Sequence, residues 1–216
     1  GGSHDKTASV YFTDAANSDF HLAPFDTAAL DAGTSFSADA NLSFSTDIDG
    51  QTRSGTWDIG ADEFAATPIY RSVGPSNTTA IASSTGVTLT ISGSSAAFSS
   101  GMPSKMGVGD VVAYQALNGT GKNSLAFISG RSNSTTYSIT DVAGKIASST
   151  SASTNWQVFR AYTSLSLAEA GTENTGLDDG LENFETFTDG KNLASSTEVW
   201  NIAAYADAAD TTTVWI

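Results

Sequence analysis

An all-β fold is the class this sequence predicts, and three observations predict it. Short runs in the middle of the chain alternate apolar and polar residues with a period of two. Clusters of Gly, Ser, Asn and Asp punctuate those runs at intervals of roughly 8–15 residues, the rhythm of a small antiparallel barrel or sandwich. Ser and Thr fill about a quarter of the 216 residues while charged residues make up only 15%, a balance suited to pleated surfaces on which Thr and Val pack well.

Taken in order, Gly1-Gly2-Ser3-His4 reads as a tag remnant, so the natural N-terminus is expected to lie elsewhere. Residues 5–66 hold short extended pieces between Asp, Gly and Asn turns. The middle segment has the clearest strands. Val87-Thr88-Leu89-Thr90-Ile91 alternates with period two, and Val108 to Tyr114 is an apolar run behind a glycine turn. Ser124 to Ser129 and Thr135 to Thr140 flank Gly130-Arg131-Ser132-Asn133-Ser134, which predicts a hairpin with a loop of about five residues. Asn155 to Tyr162 predicts a last strand with Trp156, Val158 and Arg160 on one face. Thr163 to Ala170 is the one helix predicted, capped by Thr163 or Ser164 and ended by Gly171. At about two turns it needs tertiary packing to persist. Glu198 to Ala206 and Thr211 to Ile216 resume strand character. The chain stops inside an apolar run at Val214-Trp215-Ile216, which predicts a piece of a longer protein.

Charge divides the chain into three. Residues 1–66 carry a net −9, residues 67–160 a net +4 and residues 161–216 a net −9, giving −14 in all. Steps of that size, at Pro68 and at Arg160, predict domain boundaries. The acidity excludes nucleic acid as a partner, since phosphate binding needs clustered Lys and Arg. It disfavours anionic membrane surfaces for the same reason. No run approaches the roughly 20 apolar residues of a membrane helix, so no membrane insertion is expected. The absence of cysteine removes disulfides, thiol catalysis and cysteine zinc sites.

Residues 46–64 carry a more specific pattern, Thr-Asp-Ile-Asp-Gly-Gln-Thr-Arg-Ser-Gly-Thr-Trp-Asp-Ile-Gly-Ala-Asp-Glu-Phe. An Asp-x-x-Gly…Arg turn followed by Asp58-Ile59-Gly60-Ala61-Asp62-Glu63-Phe64 resembles the end of bacterial right-handed parallel β-helix proteins of the pectate-lyase-like type. Asp19-Phe20-His21-Leu22 and Ala29-Leu30-Asp31-Ala32-Gly33 are similar to the phrase preceding that family's last coils. The stretch from the 163–170 helix to Ile216 resembles, more weakly, a first coil behind its cap. The resemblance implies a β-helix (solenoid) end segment over 5–66, a small antiparallel β domain over 67–160, and a cap helix with the first coil of a following solenoid over 161–216. Caps are needed because a coil buries its apolar face only against neighbouring coils. A second arrangement packs the two acidic flanks into one module with the middle inserted.

The carboxylates Asp47, Asp49, Asp58, Asp62 and Glu63 are the leading metal candidates, because calcium takes six to eight oxygen ligands. Their spacing is not that of an EF-hand. The plainer reading makes Asp47-Ile48-Asp49-Gly50 an Asx turn, Asp58 a hydrogen-bonded turn residue, and Arg53 a partner of Asp58 or Glu63. Asp178, Asp179, Glu182 and Glu185 form a second acidic patch. His21, the one histidine outside the tag, has no evident triad or zinc partners and reads as a strand residue. Gly107-Val108-Gly109-Asp110 lacks the ending of a phosphate loop and reads as a β-turn. Trp156, Tyr114, Tyr137 and Phe127 form a sugar platform only if exposed together, and their period-two placement favours the core.

No catalytic cluster is evident, and no cofactor beyond calcium is implied. The expected function is a non-catalytic structural or adhesive module of a large secreted or cell-surface bacterial protein. Its partners are expected to be copies or neighbouring domains of the same protein. The alternative is a carbohydrate-binding or polysaccharide-lyase-like domain that uses calcium, with glycans as partners.

Overall fold

The computed structural model describes residues 7–117, 121–177 and 198–211. They divide into two compact units, one of residues 7–67 with 198–199, the other of the remaining described residues from Pro68 onward. The chain is mostly β, as composition and periodicity predict.

The first unit has little regular structure. Strand β1 (Phe12–Asp14) pairs antiparallel with β2 (Asp19–Leu22), Phe12 opposite Leu22 and Asp14 opposite Asp19. The single 3-10 turn between them is capped by the Asp14 carboxylate, which accepts from Asn17 N–H. The rest is turns, and no stack of coils is formed among these residues. Five apolar side chains are buried here (Leu22, Ala23, Ala28, Ala29 and Trp57), three of them alanine. Six charged ones are buried beside them, so ordinary apolar burial is not the main adhesive of this unit.

The second unit is the reverse. After β3 (Thr67–Val73) come β4 (Ala82–Ser83), β5 (Leu89–Ser92), β6 (Ser95–Phe98), β7 (Val111–Tyr114), β8 (Ser124–Arg131), β9 (Thr136–Thr140), β10 (Thr150–Ser153) and β11 (Trp156–Phe159). Eight of them form one antiparallel sheet in the order β10-β5-β6-β9-β8-β7-β11-β4, curled into a half-barrel. The hairpin predicted at 130–134 lies between β8 and β9, with a register shift between Ile128 and Gly130. Helix α1 (Leu165–Glu169) is shorter than the predicted span; Ser164 Oγ caps it by accepting from Leu167 N–H. Strand β12 (Glu198–Ala204) pairs with β3 as a separate two-stranded sheet.

Period-two alternation places two sets of side chains on the two faces of the curled sheet. One cluster holds Leu89, Ile91, Phe98, Tyr137, Trp156 and Val158 among sixteen buried residues. The other holds Val73, Val111, Phe127, Phe159 and Tyr162, and is covered by Ala168 of α1 and by Leu177. Each large apolar side chain fully buried in this way contributes about 1.5–3 kcal/mol. Residues 161–177 thus belong to the same compact unit as the strands, and no break falls at Arg160 despite the charge step there. Trp156, Tyr114, Tyr137 and Phe127 are all fully buried, which removes them as a sugar platform.

Two arginines are also buried in this unit. Arg160 Nη1 donates to both oxygens of Asp110, at 2.7 and 2.9 Å, and its Nε donates to Asp207 at 2.8 Å. Its guanidinium lies 3.5 Å from the Tyr205 ring centre. Arg71 stacks 3.8 Å over Phe127. The Gly107–Asp110 segment is a turn, as predicted, with Asp110 Oδ2 accepting from Gly107 N–H. Gly109, at φ +82°, lies so close to Arg71 that a Cβ would collide with its backbone.

Candidate functional site

The five carboxylates singled out as leading metal candidates all lie in the first unit, and local chain geometry decides what each can do. Asp47 Oδ1 accepts from the N–H groups of Asp49 and Gln51, the Asx turn predicted, with Gly50 at φ +79°. The other Asp47 oxygen is buried without a hydrogen-bond partner. Asp58 Oδ1 accepts from Asp31 N–H at 2.6 Å and its Oδ2 from Phe64 N–H at 2.7 Å. Glu63 accepts from Ser54 N–H, Asp58 N–H and Arg53 Nη1, the last at 3.2 Å. Asp62 Oδ2 accepts from Leu22 N–H at 2.8 Å.

Arg53 completes the loop. Its side chain is 2% exposed, and it donates to the carbonyls of Asp58, Gly60 and Asp62 as well as to Glu63. Phe44 and Trp57 rings lie 5.7 and 5.4 Å from its guanidinium. The phrase Asp58–Phe64 is therefore wrapped around one arginine, with each acidic side chain turned to a backbone donor elsewhere. Gly33 of the Ala29–Gly33 stretch meets this loop: its N–H donates to Trp57 O at 2.6 Å, and a Cβ there would stand 2.7 Å from the carbonyl oxygens of Trp57 and Asp58. Burial raises the Asp58 pKa above the ordinary value, against the pull of the Asp31 and Phe64 N–H groups.

A residue without a sequence signal does the same work. Asp26 is buried, its Oδ1 accepting from Tyr11 N–H and its Oδ2 from the N–H groups of Ala28, Ala29 and Leu30. Burial pushes its pKa up, but these four donors outweigh burial and hold it below the ordinary carboxylate value.

The five candidate calcium ligands do not converge on one point. The Asp58 carboxylate is taken up by the Asp31 and Phe64 N–H groups, and that of Glu63 by the Ser54 and Asp58 N–H groups and the Arg53 cation. Asp49 and Asp62 instead come together with His21, and among the described residues this is the one group of metal-ligand side chains, its donor atoms within 4.8 Å of one another. His21 lies on β2, half-exposed, with Nδ1 2.5 Å from Asp19 Oδ1 and Nε2 2.8 Å from Asp49 Oδ2. The Asp19 carboxylate first, then Asp49, raises the His21 pKa from 6.5 to about 9, and His21 in turn lowers that of Asp19. The strand position of His21 matches its sequence reading; its three carboxylate neighbours were visible only at Asp19, two residues away.

This group opens on a cavity of about 480 Å³ whose walls include Phe12, Phe20, Ile48 and Ile59. Phe12 and Phe20 meet edge to face at 5.6 Å. The arrangement offers cationic or metal coordination beside an apolar recess. The second acidic patch, Asp178 to Glu185, lies outside the described residues. No family model matches the chain, and no curated protein or solved structure matches it.

Proposed function

We propose that the chain is a non-catalytic structural module of a large extracellular bacterial protein. In this reading residues 7–67 close the end of a β-helix, and the half-barrel unit is a rigid spacer beyond it. The observation that carries the reading is the use of the motif carboxylates. Asp58, Glu63 and Asp62 hold backbone N–H groups, and Arg53 neutralises the loop from inside. The chemistry-bearing side chains of the matched phrase thus act as staples, which suits a cap that has few apolar side chains of its own.

The acidic, hydroxyl-rich, cysteine-free composition supports an extracellular setting. Opposite charge on residues 67–160 and their flanks supports docking between copies, since complementary patches steer association. Sedimentation of the protein at low and high salt tests this part. The reading expects association that weakens as salt rises; monomers indifferent to salt contradict it.

One observation favours a second reading, a glycan-binding module. The cavity beside His21 presents Phe20, 60% exposed, next to carboxylates, a combination able to stack a sugar ring and hold its hydroxyls. A glycan array, with and without calcium, separates the two. The structural reading expects no retention and no unsaturated product from acidic polysaccharides; retention lost in Phe20→Ala favours the second.

A further inference from the structure

We propose that His21 Nε2, Asp49 and Asp62 form a binding site for a divalent transition metal of the zinc type, which ties three separate segments of the first unit together. The donor set is one imidazole nitrogen and two carboxylate oxygens, suited to zinc rather than to calcium, which prefers oxygen alone. The atoms lie within 4.8 Å of one another. Donors around a tetrahedral zinc stand about 3.3 Å apart, so closure needs side-chain movement of roughly an ångström.

Three supports outside the donor set fit a metal site. Asp19 binds His21 Nδ1 at 2.5 Å, the carboxylate–histidine arrangement that fixes the ring of a metal-bound histidine; Nε2 meets Asp49 Oδ2 at 2.8 Å, so a metal enters by displacing the proton between them. Asp62, 8% exposed, is anchored through Oδ2 by Leu22 N–H. All three ligands border the same cavity, which leaves room for water in the ion's open position.

The need for such a tie follows from the core of this unit. With Trp57 and Leu22 as its only large buried apolar side chains among the described residues, it resembles the small folds that take a structural metal in place of apolar burial. The ligands come from β2, from the 47–50 turn and from the Asp58–Phe64 loop. One ion there restrains three segments up to 41 residues apart in sequence.

The test is thermal unfolding and titration calorimetry of the full chain with zinc chloride, and with magnesium and calcium chloride in parallel. Zinc is expected to bind one per chain through this site and to raise the melting temperature, with calcium and magnesium inert. His21→Asn and Asp49→Asn, both at exposed positions and checked for unchanged circular dichroism without metal, are expected to weaken binding at least tenfold. Asp39→Asn, and His4→Ala within the tag-like segment, are expected to leave it intact. Absence of zinc binding overturns the proposal. So does zinc binding that survives His21→Asn and Asp49→Asn, or that disappears with His4→Ala.

Discussion

The two units of this chain solve the same problem with opposite means. In residues 68–211 the buried apolar side chains far outnumber the buried polar ones, and they line both faces of the half-barrel. In residues 7–67 six charged side chains are buried against five apolar ones. The first unit also carries most of the exposed large apolar residues, from Val10 and Tyr11 to Phe44 and Ile59. A sheet with alternating residues can pack both its faces. A chain of turns has no such face, and its backbone donors must find partners one at a time. Carboxylates from the turns themselves provide them.

That contrast predicts different responses to similar injuries. Trp156→Ala removes the largest side chain of the half-barrel core and is expected to cost about 3–5 kcal/mol, read as a lower midpoint of the second unit alone in chemical denaturation. A midpoint change confined to the first unit breaks the contrast.

Asp26→Ala leaves four backbone N–H groups of the first unit without their acceptor and is expected to cost about 3 kcal/mol. The sign of its pH dependence follows from its lowered pKa: its contribution is full above about 4, the unfolded value, and fades as pH falls through the lower folded value. Asp58, raised by burial, works in the opposite sense and stabilises slightly on acidification. In the second unit Asp110 does likewise. Burial lifts it to about 6, so the folded state takes up its proton first and stability rises as pH falls from about 6 towards 3.8. Acid titration followed by amide exchange is expected to show loss of protection at Ala28 to Leu30 in the wild type only as pH falls below 3.8, and already at neutral pH in Asp26→Ala. Equal protection in the two proteins contradicts the role given to Asp26.

Gly33→Ala forces a Cβ against the carbonyls of Trp57 and Asp58 and is expected to cost about 2 kcal/mol. A neutral effect on the denaturation midpoint removes the close packing of the two motif phrases from the account. The smallest effect is at His21. Its raised pKa means that the link to Asp19 and Asp49 is complete below pH 6.5 and is lost as pH rises through about 9. The His21 ring signals in NMR, assigned by comparison with His21→Asn, are expected to titrate near pH 9 in the wild type, and in Asp19→Asn nearer the ordinary value. A His21 midpoint near 6.5 in the wild type contradicts the pairing.

Sequence made the second unit far more legible than the first. Leu89 and Ile91, Val111 to Tyr114, and Trp156 with Val158 announce strands because apolar alternation is the physical cause of their burial. Strand β6, Ser-Ala-Ala-Phe, and β10, Thr-Ser-Ala-Ser, carry almost no hydrophobic contrast; their neighbours in the sheet hold them. Strand β3 hides behind Pro68 and the charge step. The Arg160–Asp110 pair, 50 residues apart, has no local signal. In the first unit the Asx turn at Asp47 was readable because short spacing fixes it, and Arg53 was readable as a partner of Asp58 or Glu63, of which Glu63 supplies the carboxylate. The four donors of Asp26 and the approach of Asp49 and Asp62 to His21 depend on long-range folding of turns, for which no periodicity exists.

The central claim is that one buried arginine, bound to Glu63 and to three carbonyls, and carboxylates that hold backbone N–H groups keep the first unit together, while apolar packing holds the second. Scanning calorimetry of Arg53→Met tests it most directly, because the substitution keeps much of the side-chain volume and strands Glu63 without its cation. The account predicts two unfolding transitions, with only the one assigned to residues 7–67 lowered, by about 3–5 kcal/mol. An unchanged first transition, or an equal fall in both, contradicts it.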